Sequence, residues 1–480
     1  MPAALWLIAL PLGLAPLVFI LRRKLAGAFL AAFGAVFVTW LIMQVPTGAA
    51  LNVLGRAVQL DQLARMILML LFAATSVLFL TLALSAFTDQ SQYLGVAHKR
   101  SIGQEARIFY PAALVILALF VAAGLSRHLG ITAIFIELAA IIAVFVIQTE
   151  RLESTRAALR FLVLITLATP VFLLAAWRID LYQLSGGLPS ARDLEQTALF
   201  ISIGFAIWLA VVPFQGWLTS TATEASAPMA AFVLISFPTV AVATLIHLLV
   251  DLPWLVDSVF LVNAMVIAGI FTAFIGGVMA SVQRGLSELL GFAALFNLGC
   301  IVALIGIGGQ AAMVTVVVTL SVRALALLLI AASMLTLHLL VSSDGFVQIR
   351  GTAFRMPVAI VGLLIGGLTL AGVPLTAGFA PYWQLLRTVA EFDSRWLIPL
   401  VLGSLGVATG YVRGLRAAMS SEPGGGDRAA ARSLPKVAEP LPLLIIIILL
   451  GLLSLLLGFN PSLLIDSLQT VSAGITFPIR

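Results

Sequence analysis

Two charged side chains stand where charge is expensive. Glu137 lies in ITAIFIELAAIIAVFVIQ and Arg323 in AAMVTVVVTLSVRALALLLIAASML. Each is the one ionisable group of an apolar run long enough to cross a bilayer. A charge at that depth faces a partner or a wet cavity rather than lipid. The chemistry open to such residues is an ion route across the membrane. The structural alternative is a fixed pair, or an arginine bonded to backbone carbonyls. On these two residues alone both readings stand level.

Other chemistries are excluded more firmly. The single cysteine, Cys300, sits inside an apolar run. It leaves no disulfide within the chain, no cysteine-held iron–sulfur cluster and no zinc ribbon. The four histidines, His98, His128, His247 and His338, show no ligand spacing. No glycine-rich nucleotide loop joins a strand to a helix. The chain is therefore expected to carry no cofactor, metal or redox centre of its own, and any electrons run elsewhere.

The elements that must position Glu137 and Arg323 follow from composition. Of 480 residues, 62% are hydrophobic and 10% charged. Repeated apolar runs of about 20 residues are the mark of membrane-spanning helices, because in lipid the backbone must bond to itself. Fourteen such runs can be marked: 3–21, 25–44, 66–86, 108–126, 130–148, 157–177, 197–213, 229–250, 256–282, 287–308, 311–341, 356–391, 395–415 and 440–459. The first has no basic region before it and no cleavage site after it, so it reads as a span and not a signal peptide. The fold class is an all-α polytopic membrane protein.

Basic residues orient it. Loops after odd-numbered spans hold 17 lysines and arginines, and loops after even-numbered spans with the C-terminus hold 8. That bias places the odd loops in the cytoplasm of a bacterial or archaeal cell and both termini outside. The net charge of +6 is then a topology signal and not a nucleic-acid footprint.

Two spans contain a break. Val212-Pro213 interrupts the seventh and Val373-Pro374 the twelfth, each after an apolar half-helix and before small or polar residues and a tryptophan, Trp217 or Trp383. Proline removes a helix hydrogen bond and bends the axis. Interrupted helices at matching places in two halves point to the inverted repeats of transporters. The expected organisation is a three-helix segment (1–107), two five-helix repeats (108–250, spans four to eight; 256–415, spans nine to thirteen), a cytoplasmic linker (416–439), and a last span with its tail (440–480).

These segments resemble the antiporter-like membrane subunits of respiratory complex I, of Mrp sodium/proton antiporters and of membrane-bound hydrogenases. IWLAVVPFQGWLTSTATEASAP is similar to the family's seventh-span motif through Pro213, Phe214, Trp217, Leu218, Glu224 and Pro228. TLAGVPLTAGFAPYW around Pro374, LLGFAALFNLG and LDQLARMILML resemble three further family segments in the same order. The family's fifth-span glutamate falls on Glu137. The resemblance implies fourteen helices in two inverted repeats with helices seven and twelve broken. It also implies proton (or sodium) movement coupled to electron transfer in partner subunits, through a glutamate–lysine pair and further bases on a central polar axis.

The bases are what this chain lacks. The resemblance places the seventh-span lysine on Trp208, the eighth within Phe237–Val240, the twelfth on Tyr382 and the tenth-span histidine on Asn297. The eleventh-span lysine falls on Arg323. The three lysines, Lys24, Lys99 and Lys436, are all expected in loops. Arginine stays protonated and does not relay a proton by releasing it. Glu137 is left alone and neutral by desolvation, or paired with Arg160 or Arg323, and Glu224 is expected to cap a half-helix N-terminus. Four roles stay open: a subunit that no longer pumps and serves as scaffold or coupling rod; a subunit with an unusual path through Glu137, Tyr382, His247 and ordered water; a free-standing transporter binding an anion at Arg323; or the ion-moving partner of an inorganic-substrate uptake system.

Overall fold

The computed structural model describes residues 3–22, 25–48, 51–53, 56–85, 96–148, 152–185, 191–341, 343–420 and 439–463. Every apolar run marked above contains a helix. In chain order the helices are α1 (Ala3–Leu21), α2 (Leu25–Gln44), α3 (Gln62–Ser85), α4 (Val96–Leu125), α5 (Leu129–Ile147), α6 (Leu152–Ser185), α7 (Ala191–Trp208), α8 (Gly216–Glu224), α9 (Ala227–Asp251), α10 (Pro253–Asp257), α11 (Val259–Val282), α12 (Leu286–Ile307), α13 (Gln310–Leu337), α14 (Thr352–Arg355), α15 (Pro357–Ala371), α16 (Phe379–Asp393), α17 (Leu397–Met419) and α18 (Leu441–Phe459). Among the described residues eleven helical stretches are long and apolar enough to cross a membrane, and Leu5–Leu21 and Pro357–Ala371 are shorter apolar helices.

Two details differ from expectation. A small antiparallel hairpin, β1 (Leu51–Val53) with β2 (Arg56–Val58), joins α2 to α3. Helix α4 starts at Val96, so Lys99 lies on a helix, ahead of the apolar stretch Arg107–Leu125, and not in a loop. Residues 421–438, most of the expected linker, lie outside the described residues, as does the tail beyond 463.

The bundle has a centre and a rim. In α9 and α12, 83% of the apolar window is buried, and in α13 89%, against 28% for α18. Arg323 and Asn297 therefore ride on the most enclosed helices. Rim helices present large apolar side chains outward, such as Phe33, Trp177 and Leu449, as lipid-facing surfaces require. Close helix approach depends on missing side chains: a Cβ on Gly269 of α11 would meet the Ala303 backbone, and one on Gly299 of α12 the Ala273 backbone. Small residues let membrane helices pack backbone to backbone.

Candidate functional site

The first break spans the residues between α7 and α8. Ala210 takes φ +52° there, a left-handed conformation unusual for a residue with a Cβ. Side chains collect the loose backbone groups: Trp217 Nε1 donates to Ile207 O at 2.9 Å, and Val212 N donates to Thr272 Oγ1 at 3.2 Å. Trp208 closes the end of α7. It is buried, with its ring 4.1 Å from Phe172 and edge-on to Phe205 at 5.8 Å between centroids. The place where the resemblance puts a lysine is an aromatic box.

The second break lies between α15 and α16, where Gly372 and Leu375 both take φ +74°. Ser404 Oγ donates to the freed Ala371 carbonyl at 2.7 Å. Tyr382, one turn into α16, donates its hydroxyl to Leu400 O at 2.9 Å. Tyr382 and Asn297 meet across a cavity of about 20 Å³, lined also by Cys300, Thr319 and Thr369. That volume holds about one water molecule. Asn297 Oδ1 is buried there without a protein partner.

Arg323 is fully enclosed, 1% exposed. Its Nη1 donates to Ala294 O of α12 at 2.6 Å and its Nη2 to Leu234 O of α9 at 3.3 Å. Among the described residues no carboxylate comes within ion-pair distance of it. Of the alternatives open from sequence, the structure has the arginine on backbone carbonyls.

Glu137 pairs with neither arginine proposed for it. Its two oxygens accept hydrogen bonds from Thr166 Oγ1 at 2.6 Å and Thr169 Oγ1 at 2.9 Å, both on α6. Arg160 turns instead to Ser220 Oγ of α8, at 2.9 Å. One turn further along α8, Glu224 Oε2 accepts from Ala157 N of α6 at 2.8 Å. Glu224 thus ties the second turn of α6 to the end of α8; its partner is not the half-helix it belongs to.

His247 belongs to a polar cluster that sequence reading missed. Its Nε2 stands 2.9 Å from Asp61 Oδ2; the same oxygen takes Arg127 Nη2 at 3.1 Å, and Arg127 Nη1 reaches Asp251 at 3.4 Å. His128 pairs with Asp180 at 2.9 Å beside it. Asp61 also accepts from Ala64 N at 2.8 Å, capping α3. Burial pushes the Asp61 carboxyl up, but His247, the Ala64 N–H and Arg127 outweigh it and hold the group below the usual carboxylate range. The cap was legible: Asp61 stands directly before an apolar helix in LDQLARMILML. Its partners, far off in sequence, were not.

The candidate site is thus scattered: the Asn297–Tyr382 cavity, the Arg323 clamp, Glu137 and the Asp61–His247 cluster are polar, and the Trp208 box is aromatic. Among the described residues no group of His, Cys, Asp or Glu stands ready to hold a metal.

The transmembrane family described as NADH:quinone oxidoreductase/Mrp antiporter matches residues 125–407. NADH-quinone oxidoreductase subunit N of Rhodopseudomonas palustris is 27% identical over 415 residues, covering 81% of this chain and 86% of that protein. Formate hydrogenlyase subunit 3 of Escherichia coli is 27% identical over 327 residues, covering 61% of this chain and 51% of that protein. The match to subunit N of Ectopseudomonas mendocina, 28% identical over 268 residues, covers 55% of this chain and 53% of that protein. The chain thus spans about half the length of several relatives it matches. Among solved structures, the Mrp complex from Dietzia superposes with a TM-score of 0.79 at 16% identity, covering 99% of this chain and 98% of that one. An archaeal membrane-bound sulfane sulfur reductase gives 0.80 at 18%, covering 96% of this chain and 77% of that one. At such identities the structures speak for the fold alone.

Proposed function

Because this chain belongs to the NADH:quinone oxidoreductase/Mrp antiporter transmembrane family, we propose that it is a membrane subunit of a redox-driven, ion-translocating assembly. Within that assembly it serves as scaffold or coupling element, without a lysine-based proton path of its own. Electron transfer belongs to partner subunits; the coupling ion is a proton or sodium. The relatives that support this reading are subunits of quinone oxidoreductases and of a formate hydrogenlyase. The excess of basic residues in odd-numbered loops favours a bacterial or archaeal cytoplasmic membrane with both termini outside.

One observation carries the scaffold reading: Trp208 fills, with Phe172 and Phe205, the place expected to hold a titrating base. An indole N–H holds no proton it can trade near neutral pH. Arg323, enclosed among the central helices, keeps its proton and gives an Nη donor to each of two backbone carbonyls.

A second reading, conduction by an unusual path through Glu137, Tyr382, His247 and ordered water, is favoured by the cavity between Asn297 and Tyr382. Anion transport at Arg323 has less support, since its guanidinium is enclosed and engaged. Purification of the tagged protein from its native membrane, followed by a pH-sensitive dye assay of the assembly in proteoliposomes, separates these. The scaffold reading expects partners to co-purify and pumping, measured per assembled complex, to survive Glu137→Gln. Loss of pumping in that variant favours the second path. A protein that leaves the membrane alone and transports unaided overturns both.

A further inference from the structure

The α5–α6 flank carries a charge with no counter-charge. Glu137 is the ninth of nineteen residues in α5, so it lies about 12 Å from one helix end and about 15 Å from the other. Its side chain is half-buried and Thr166 beside it is exposed. Around them the flank is apolar and open: Ile134 is 46% exposed, Leu138 43% and Val163 63%. The carboxylate therefore sits in the side wall of the bundle, at mid-depth, and not on the enclosed axis.

Lipid is a poor neighbour for it, because a carboxylate at the bilayer centre costs several kcal/mol unless a partner or water meets it. The two threonine hydroxyls occupy two of about four lone-pair positions, which leaves the outward ones open. Among the described residues no basic side chain comes within ion-pair distance. Arg160 is bonded to Ser220, and Arg323 is enclosed among α9, α12 and α13.

We propose that this flank is the docking face for a transmembrane helix of a different subunit, and that this helix presents a lysine, arginine or histidine to Glu137. The proposal rests on the reading of the chain as a subunit of an assembly. Charge complementarity selects the occupant. A second copy meeting the same flank about a two-fold axis would bring one carboxylate against another. The open apolar residues form the dry surround that makes such a pair strong.

The test uses the intact assembly in native membranes. Leu138→Cys and Val163→Cys are each labelled with a thiol-directed photo-cross-linker; Cys300 is buried and does not compete. The expected product joins both positions to one helix of a different subunit, with a basic residue within one turn of the linked site. Glu137→Gln lowers the cross-link yield by about tenfold or more, as loss of one partner of a desolvated pair does. Glu137→Lys restores the yield when combined with a glutamate at the partner's basic position. Cross-links to lipid alone, to another copy of this chain, or to a helix without a base overturn the inference while leaving the assembly reading intact. Recovery of the chain with no partner at all overturns the assembly reading, and this inference with it.

Discussion

Arg323 Nη2 donates to the carbonyl of Leu234, four residues before Pro238 in α9. A proline within a helix cannot donate to the carbonyl four residues back, and in a membrane interior that carbonyl has no water to turn to. The guanidinium supplies the missing donor. The resemblance puts an eighth-span lysine within Phe237–Val240; this chain has a proline in that window, and the arginine kept on α13 serves the backbone.

This pairing predicts a thermodynamic coupling. Arg323→Met leaves the Leu234 carbonyl without a donor, whereas Ala294 keeps its donor within α12, and the unsatisfied buried group costs about 1–3 kcal/mol. Pro238→Ala returns an N–H to Leu234. In that background Arg323→Met costs less, by about 1 kcal/mol of coupling. A denaturant titration of the four proteins in detergent measures it; strictly additive effects exclude the coupling.

At the first break, Trp208→Ala empties the aromatic box and costs about 3–5 kcal/mol, while Trp208→Phe, which keeps most of the packing, costs much less. Trp208→Lys, the change that puts the family's base back, produces no proton conduction in proteoliposomes. The carboxylate that would set its pKa, Glu137, is turned to Thr166 and Thr169. A dye signal from the lysine variant above that of wild type contradicts this.

Sequence carried the fold because membrane helices declare themselves by apolar length, and the two breaks because proline and small polar residues interrupt that pattern. Side-chain partnerships were another matter. Glu137 invited an arginine and found two threonines one helix away, since hydroxyls in an apolar run carry no distinctive signal. Pro238 lies inside an apolar run, and nothing in the sequence marks Arg323 as the donor across from it. His247, Asp61, Arg127 and Asp251 are joined only by the packing of α3, α4 and α9. Asp344, which caps α12 through Ser287 N at 2.7 Å, and Glu439, which caps α15 through Val358 N at 2.9 Å, likewise act on helices distant in the chain.

The Asn297 carbonyl oxygen has no protein partner, so its loss breaks no protein hydrogen bond. Asn297→Leu, with the adjoining cavity to absorb the added volume, is expected to change stability by less than about 1.5 kcal/mol. Asn297→Asp places a second ionisable group beside Tyr382 in an enclosed site and lowers stability more. Thermal unfolding of the two variants in detergent ranks them; the reverse order contradicts the assignment of this oxygen as unpaired.

The Asp61 clasp gives a pH dependence whose sign is fixed by the direction of its shift. Asp61 is held below its ordinary value in the folded protein, so the folded state binds fewer protons than the unfolded chain between the two values. Its contribution is fully present above the unfolded value of about 4 and is lost as pH falls through the depressed folded value. Wild type should therefore lose thermal stability from about pH 4 downward. Asp61→Asn should start lower at neutral pH, by about 1–2 kcal/mol, because it gives up the charge on Arg127 and His247. The two curves should converge in acid, where wild type has lost that charge too. Parallel curves across the whole range would mean that Asp61 acts through its shape and its cap on Ala64, and not through its charge.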